Sequence, residues 1–228
     1  MKTTVTNIAG IECLHVTGKE NDVAVILLHG YGANMHDLYP LWELWHSDHL
    51  CWYFPNGIKS LNMGYYQGNA WFNIDVAALE RAIREGTNRD LKGNVPPELD
   101  EALTKLENFI SVVSQKHKKI IIGGFSQGAM CASHLAMREN LPIEGLILLS
   151  GALLAENKFP KTAKAIPFYQ SHGTLDPILS IEGAKDLEVK LHSLNLNGKL
   201  HKFSGGHEIP PSVIHEVGEF LKQVTSSI

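Results

Sequence analysis

With 228 residues, 44% of them hydrophobic and 19% charged, the chain can build a sizeable core and is neither disordered nor fibrous in composition. A formal net charge of −4 gives no field to attract a phosphate backbone, which argues against nucleic acid as a partner. Cys13, Cys51 and Cys131 are far apart, with no CxxC or CxxH spacing. That excludes an obvious disulfide framework or zinc cluster and points to a reducing, cytoplasmic setting.

The opening MKTTVTNIAGIECLHV lacks the continuous apolar core of a signal peptide. No later segment approaches the roughly 18 uninterrupted apolar residues of a membrane span. Val5 to Ile8 and Ile11 to Val16, parted by Ala9-Gly10, read as a short antiparallel pair within residues 1–20. VAVILLHG from Val23 is a nearly continuous apolar run, as expected of a strand buried on both faces of a parallel sheet. LCWYFP from Leu50, KIIIGG from Lys119, EGLILLS from Glu144 and IPFYQSHG from Ile166 have the same character. KLHKFSGG from Lys199 is more polar and belongs nearer an edge.

Between these runs lie helices. Pro96-Pro97-Glu98 opens one, and Leu99, Leu103, Leu106, Ile110 and Val113 then recur at steps of four, three, four and three, a single buried face. Ile181 to Leu194 and Pro211 to Val224 give two more. Strand and helix alternate without an internal repeat or linker, which predicts one α/β domain over residues 1–228 with a mostly parallel sheet. Residues 55–73, PNGIKSLNMGYYQGNAWFN, break the rhythm. They read as an aperiodic loop too apolar for disorder, and so as a wall of a substrate site.

The most informative stretch is GGFSQGAM, directly after KIII. Gly124-Phe125-Ser126-Gln127-Gly128 fits G-x-S-x-G, with a strand before it and a helix, Gln127 to about Arg138, after it. In that context the pattern is a strand-to-helix elbow that exposes a serine hydroxyl at the carboxyl end of the sheet. A serine hydroxyl is a weak nucleophile until a base takes its proton, and in an elbow fold the partners follow in the order Ser, Asp or Glu, His. Twelve histidines are present, so position must discriminate. Asp176 lies in the turn after IPFYQSHG and His207 in the loop after the last strand, both at the same strand ends as Ser126. His201 falls inside a strand and His215 inside a helix, out of reach, while His172 is placed to support the Asp176 turn. The plainer readings, a turn-capping aspartate and a surface histidine, explain each residue singly but not the ordered set. Ser126, Asp176 and His207 are therefore the candidate triad.

The oxyanion donors are expected to be the backbone N–H groups of Gln127, after the nucleophile, and Tyr31, in His29-Gly30-Tyr31-Gly32. A nucleotide-binding glycine loop fails as an alternative, since Met35 stands where G-x-G-x-x-G needs its third glycine. Leu61, Met63, Trp71, Phe72 and Leu153 are the expected lining of an acyl site. No convergent ligand spacing suggests a metal.

LLHGYGANMHDLYPL, LNMG, AWFNID, GGFSQGAM, LSGAL, SHGTLDPIL and GGHEIP together resemble the acyl-protein thioesterase and small carboxylesterase family of α/β-hydrolases, from about Val23 to Leu221. The resemblance implies the same triad and oxyanion pair, and hydrolysis of carboxylic esters, thioesters or lysophospholipids without a cofactor. An acylated protein or a lysophospholipid is then as admissible a partner as a small ester. Asn34 and Asn73 stand where the family commonly carries Asp, a departure that bears on pocket shape rather than on the chemistry. A catalytically silent hydrolase fold that binds an apolar ligand is the competing class, and the complete ordered set of residues argues against it.

Overall fold

The computed structural model describes residues 2–20, 22–62, 64–87 and 91–226. Its centre is an eight-stranded sheet in the order β1-β2-β4-β3-β7-β8-β9-β10. β1 (Lys2–Ile8) and β2 (Ile11–Thr17) form an antiparallel hairpin, and β2 pairs antiparallel with β4 (Leu50–Pro55). From β4 onward the sheet is parallel: β3 (Val23–Leu28), β7 (Lys119–Phe125), β8 (Ile143–Leu149), β9 (Pro167–Gly173) and β10 (Asn197–Phe203). The polar strand β10 does occupy an edge.

Alternation along the strands makes two cores. In β3, Ala24, Ile26 and Leu28 face a layer that includes Leu103, Leu106 and Ile110 of α3 (Leu99–Ser114) and most of α4 (Gln127–Leu135). Val23, Val25 and Leu27 face the other side, against Trp45 of α1 (Leu41–Trp45) and Val213, Val217 and Leu221 of α6 (Pro211–Thr225). Every residue of β3 is buried, which is why its sequence is apolar throughout rather than alternating. α5 (Ile181–Ser193) completes the first layer and is started by Ser180, whose hydroxyl accepts the Gly183 N–H at 3.1 Å.

Three features differ from the sequence expectation. α4 ends at Leu135, a turn before Arg138. A further helix, α2 (Val76–Glu85), stands beyond residue 73; Asp75 caps it by accepting the Ala78 N–H at 2.8 Å, and Gly86 ends it in the left-handed conformation with φ 61°. The segment 55–73 is not an aperiodic loop. It contains a hairpin, β5 (Lys59–Asn62) and β6 (Gln67–Ala70), paired from Lys59 and Ala70 to Asn62 and Gln67. Its strands are short and polar, so no apolar alternation announced them. No helix among the described residues is long and apolar enough to cross a membrane.

Candidate active site

The carboxyl ends of β3, β7, β9 and β10 all lead into the segments that carry the candidate residues Tyr31, Ser126, Asp176 and His207. After β7 the chain turns sharply into α4, with Ser126 at φ 54°, ψ −116°. A non-glycine residue held there is strained, and the strain persists because the surroundings fix it. The Ser126 N–H donates to the Leu149 carbonyl at 2.8 Å, and its own carbonyl accepts the Met130 N–H at 3.2 Å. The glycines either side are required by space. A Cβ on Gly124 would lie 2.5 Å from the Gly128 carbonyl carbon, and one on Gly128 would collide with the Leu28 carbonyl. The tight turn lifts Ser126 above the carboxyl end of the central strand β7, half-buried.

Asp176 and His207 meet because their loops are tied together. The Thr174 N–H donates to the Phe203 carbonyl at 2.9 Å and the Leu175 N–H to the Gly205 carbonyl at 3.0 Å. This places the Asp176 Oδ2 2.6 Å from His207 Nδ1. Asp176 Oδ1 accepts the backbone N–H groups of Ile178 at 2.8 Å and Leu179 at 3.0 Å. A second histidine reaches the same carboxylate: His172 Nε2 lies 3.2 Å from Oδ2 and 2.9 Å from the Leu179 carbonyl. Its Nδ1 is buried with no hydrogen-bond partner, so the proton belongs on Nε2, where two acceptors await it. Burial alone would raise the Asp176 pKa. The hydrogen bonds from His172, His207 and the Leu179 N–H outweigh it and hold the carboxyl well below the usual carboxylate range. Asp176 is thus held in its anionic form, with its side chain fully buried and aimed at the Nδ1 edge of the His207 ring. Phe125 packs on that ring at 4.8 Å between centroids.

On the other side of Ser126 lies the loop after β3. His29 is buried and accepts the Gly57 N–H on Nε2 at 2.8 Å, so Nδ1 carries the proton and donates to the Gly30 carbonyl at 2.7 Å. Burial pushes its pKa down to about 4, the Gly30 bond opposing only in part, which keeps the ring neutral. Ser126, His207, Tyr31 and Gln127 all line one cavity of about 580 Å³. Its apolar walls come from Phe72, Leu79, Leu91, Met130, Leu154 and Leu179. Asn73 also lines it, donating through Nδ2 to Glu98 Oε1 at 2.7 Å, whereas Asn34 is turned to its own loop and accepts the His36 N–H at 2.9 Å.

The expected acyl wall is redistributed. Phe72 lines the cavity, but Trp71 is fully buried beneath it, with its indole N–H donating to the His29 carbonyl at 2.9 Å. Leu153 packs in the core, and its neighbour Leu154 takes the place at the wall. Leu61 sits half-buried on β5 away from the cavity, and Met63 lies outside the described residues. The sequence reading missed Leu79, on the unrecognised α2, Met130, on the helix after the elbow, and Leu91 and Leu179, which lie outside helices and strands. His201 is 3.0 Å from Glu216 and borders a different groove, together with His215.

Contrary to the expectation of no convergent metal ligands, Glu20, Asp22 and His49 bring three ligating atoms within 4.8 Å of one another. They precede β3 and β4, at the opposite end of the sheet from Ser126, and they are already paired. His49 Nδ1 lies 2.5 Å from Glu20, and Lys118 lies 2.7 Å from Asp22.

The sequence pattern of the family described as Phospholipase/Carboxylesterase matches residues 10–225. The chain is 28% identical over 224 residues to acyl-protein thioesterase 1 of Candida albicans, covering 91% of this chain and 94% of that protein. It is 27% identical over 214 residues to acyl-protein thioesterase 1 of Schizosaccharomyces pombe, covering 89% and 91%. Among solved structures, the Bacillus cereus carboxylesterase superposes with a TM-score of 0.75 at 22% identity, over 94% of each chain, a likeness of fold. With an elbow after the fifth strand of a mostly parallel eight-stranded sheet and a match across nearly its whole length, the chain belongs to the phospholipase/carboxylesterase family of α/β-hydrolases.

Proposed function

We propose that the protein is a serine hydrolase of carboxylic esters or thioesters that works through a covalent acyl-enzyme. The observation that carries this reading is the strained Ser126 elbow opening on the same cavity as a His207 that is held at 2.6 Å by a buried carboxylate. In the first step Ser126 Oγ attacks the acyl carbon and its proton passes to His207 Nε2. The tetrahedral oxyanion is held by the N–H groups of Tyr31 and Gln127. As the intermediate collapses, His207 gives that proton to the departing alcohol or thiol. Water then attacks the acyl-enzyme with His207 as base, releasing the acid and restoring Ser126. Asp176 accepts a hydrogen bond from the Nδ1–H throughout without taking the proton, fixing the tautomer that leaves Nε2 free.

The whole chain acts as one catalytic domain in this reading, with residues 10–225 within the family match. The acyl chain occupies the apolar part of the cavity, and the relatives' names support acylated proteins beside small esters as substrates. Three buried cysteines support a reducing, cytoplasmic setting. No step calls for a metal or cofactor. A p-nitrophenyl acyl ester is expected to be turned over with a pre-steady-state burst, at a rate indifferent to EDTA. Activity lost to EDTA and restored by zinc would place the chemistry on a metal and sink the serine mechanism.

A further inference from the structure

One short segment, residues 69–72, holds the backbone around both candidate oxyanion donors. The Asn69 N–H donates to the Ala33 carbonyl at 2.7 Å, and the Asn69 carbonyl accepts the Gly32 N–H at 2.9 Å. Two residues on, the Trp71 N–H donates to Gln127 Oε1 at 2.9 Å, and Gln127 Nε2 donates to the Phe72 carbonyl at 2.8 Å. The Trp71 indole closes the circuit on the His29 carbonyl at 2.9 Å. Tyr31 is thereby bracketed at 29, 32 and 33, and Gln127 is clamped by its own side chain. The contact is closest at Gly68, where a Cβ would collide with the Gly32 carbonyl oxygen. That oxygen is backbone and cannot swing aside. Gly68 has no positive φ, so the glycine is demanded by space alone.

The loop needs such a brace. Tyr31 sits between Gly30 and Gly32, the latter at φ 81°, and glycine-flanked backbone has little intrinsic preference for one orientation of its N–H. An oxyanion donor works only when it is already aimed at the place where charge develops. We propose that Gly68 and the side chain of Gln127 are positioning residues for the oxyanion hole, the β5–β6 hairpin serving as the strut that keeps the Tyr31 and Gln127 N–H groups convergent. The proposal rests on the Ser126 hydrolase reading above.

Gly68→Ala and Gln127→Met test it, with Gln67→Ala, an exposed neighbour on the same strand, as control. Kinetics on a short p-nitrophenyl ester are set beside inhibition by a trifluoromethyl ketone, whose Ser126 adduct places an oxyanion in the hole. Gly68→Ala is expected to lower kcat about 100-fold, the usual scale for losing one oxyanion donor, and to weaken the ketone by the same factor. KM stays within about twofold, as for a contact made only in the transition state. Gln127→Met moves kcat and ketone affinity together by about tenfold or more, and carries the test if Gly68→Ala does not fold. Gln67→Ala changes neither. Unchanged kcat in both variants, or a fall in kcat with ketone affinity intact, overturns the brace while leaving the serine mechanism standing. A wild-type protein that turns over no ester overturns both.

Discussion

Asp176→Asn lowers kcat/KM by about four orders of magnitude, and the surroundings of this carboxylate say why. Oδ1 is fixed by two backbone N–H donors, those of Ile178 and Leu179. An asparagine must therefore keep its carbonyl oxygen on that side and turn its NH₂ toward His207 and His172. His207 Nδ1 then meets a donor where it had an acceptor at 2.6 Å, and the ring adopts the tautomer with its proton on Nε2. That nitrogen can no longer take the Ser126 proton. His207→Ala removes the base outright and loses most of the activity. The double variant is little worse than the poorer single one, because neither residue works without the other. Steady-state kinetics on one ester checks all three, and losses that multiply would mean that the two side chains act independently.

The second large effect is on acyl-chain length. Each methylene moved from water into the cavity is worth about 0.8 kcal/mol, so three should raise kcat/KM by roughly 60-fold before the space is filled. Leu79→Ala is expected to flatten that rise while sparing acetate esters, since Leu79 lines the wall from α2. Leu61→Ala leaves the profile unchanged, because its side chain lies on β5 outside the lining. A series of p-nitrophenyl esters of increasing length decides it. The reverse pattern, sensitivity at Leu61 and none at Leu79, would move the acyl wall to the hairpin.

These two cases also show where the sequence is legible. Strands buried on both faces, such as VAVILL, announce themselves by unbroken apolarity. Chain order and loop position single out Asp176 and His207 as candidates among many acidic residues and twelve histidines, and the structure brings the two side chains within 2.6 Å. The hairpin was not visible because Lys59–Asn62 and Gln67–Ala70 are held by backbone bonds to each other and to the loop at 32–33, not by a patterned apolar face. α2 carries readable caps in Asp75 and Gly86 and an apolar stripe of Val76, Leu79 and Ile83 against Glu80, Arg81 and Arg84, so it was legible and was overlooked, although it buries no residue fully. Trp71 against Phe72 and Leu153 against Leu154 turn on a single residue. Outside regular structure no period says which of two neighbours faces the cavity and which the core.

The claim that Ser126 is the nucleophile is tested most directly by covalent labelling. A fluorophosphonate needs a hydroxyl with a base beside it and donors for the phosphonyl oxygen, and only Ser126 shares a cavity with His207, Tyr31 and Gln127 among the described serines. Peptide mapping after complete inactivation should find one label, on Ser126, and Ser126→Ala should take up none. A label on Ser150 or Ser204, or full inactivation with Ser126 unmodified, would contradict the account.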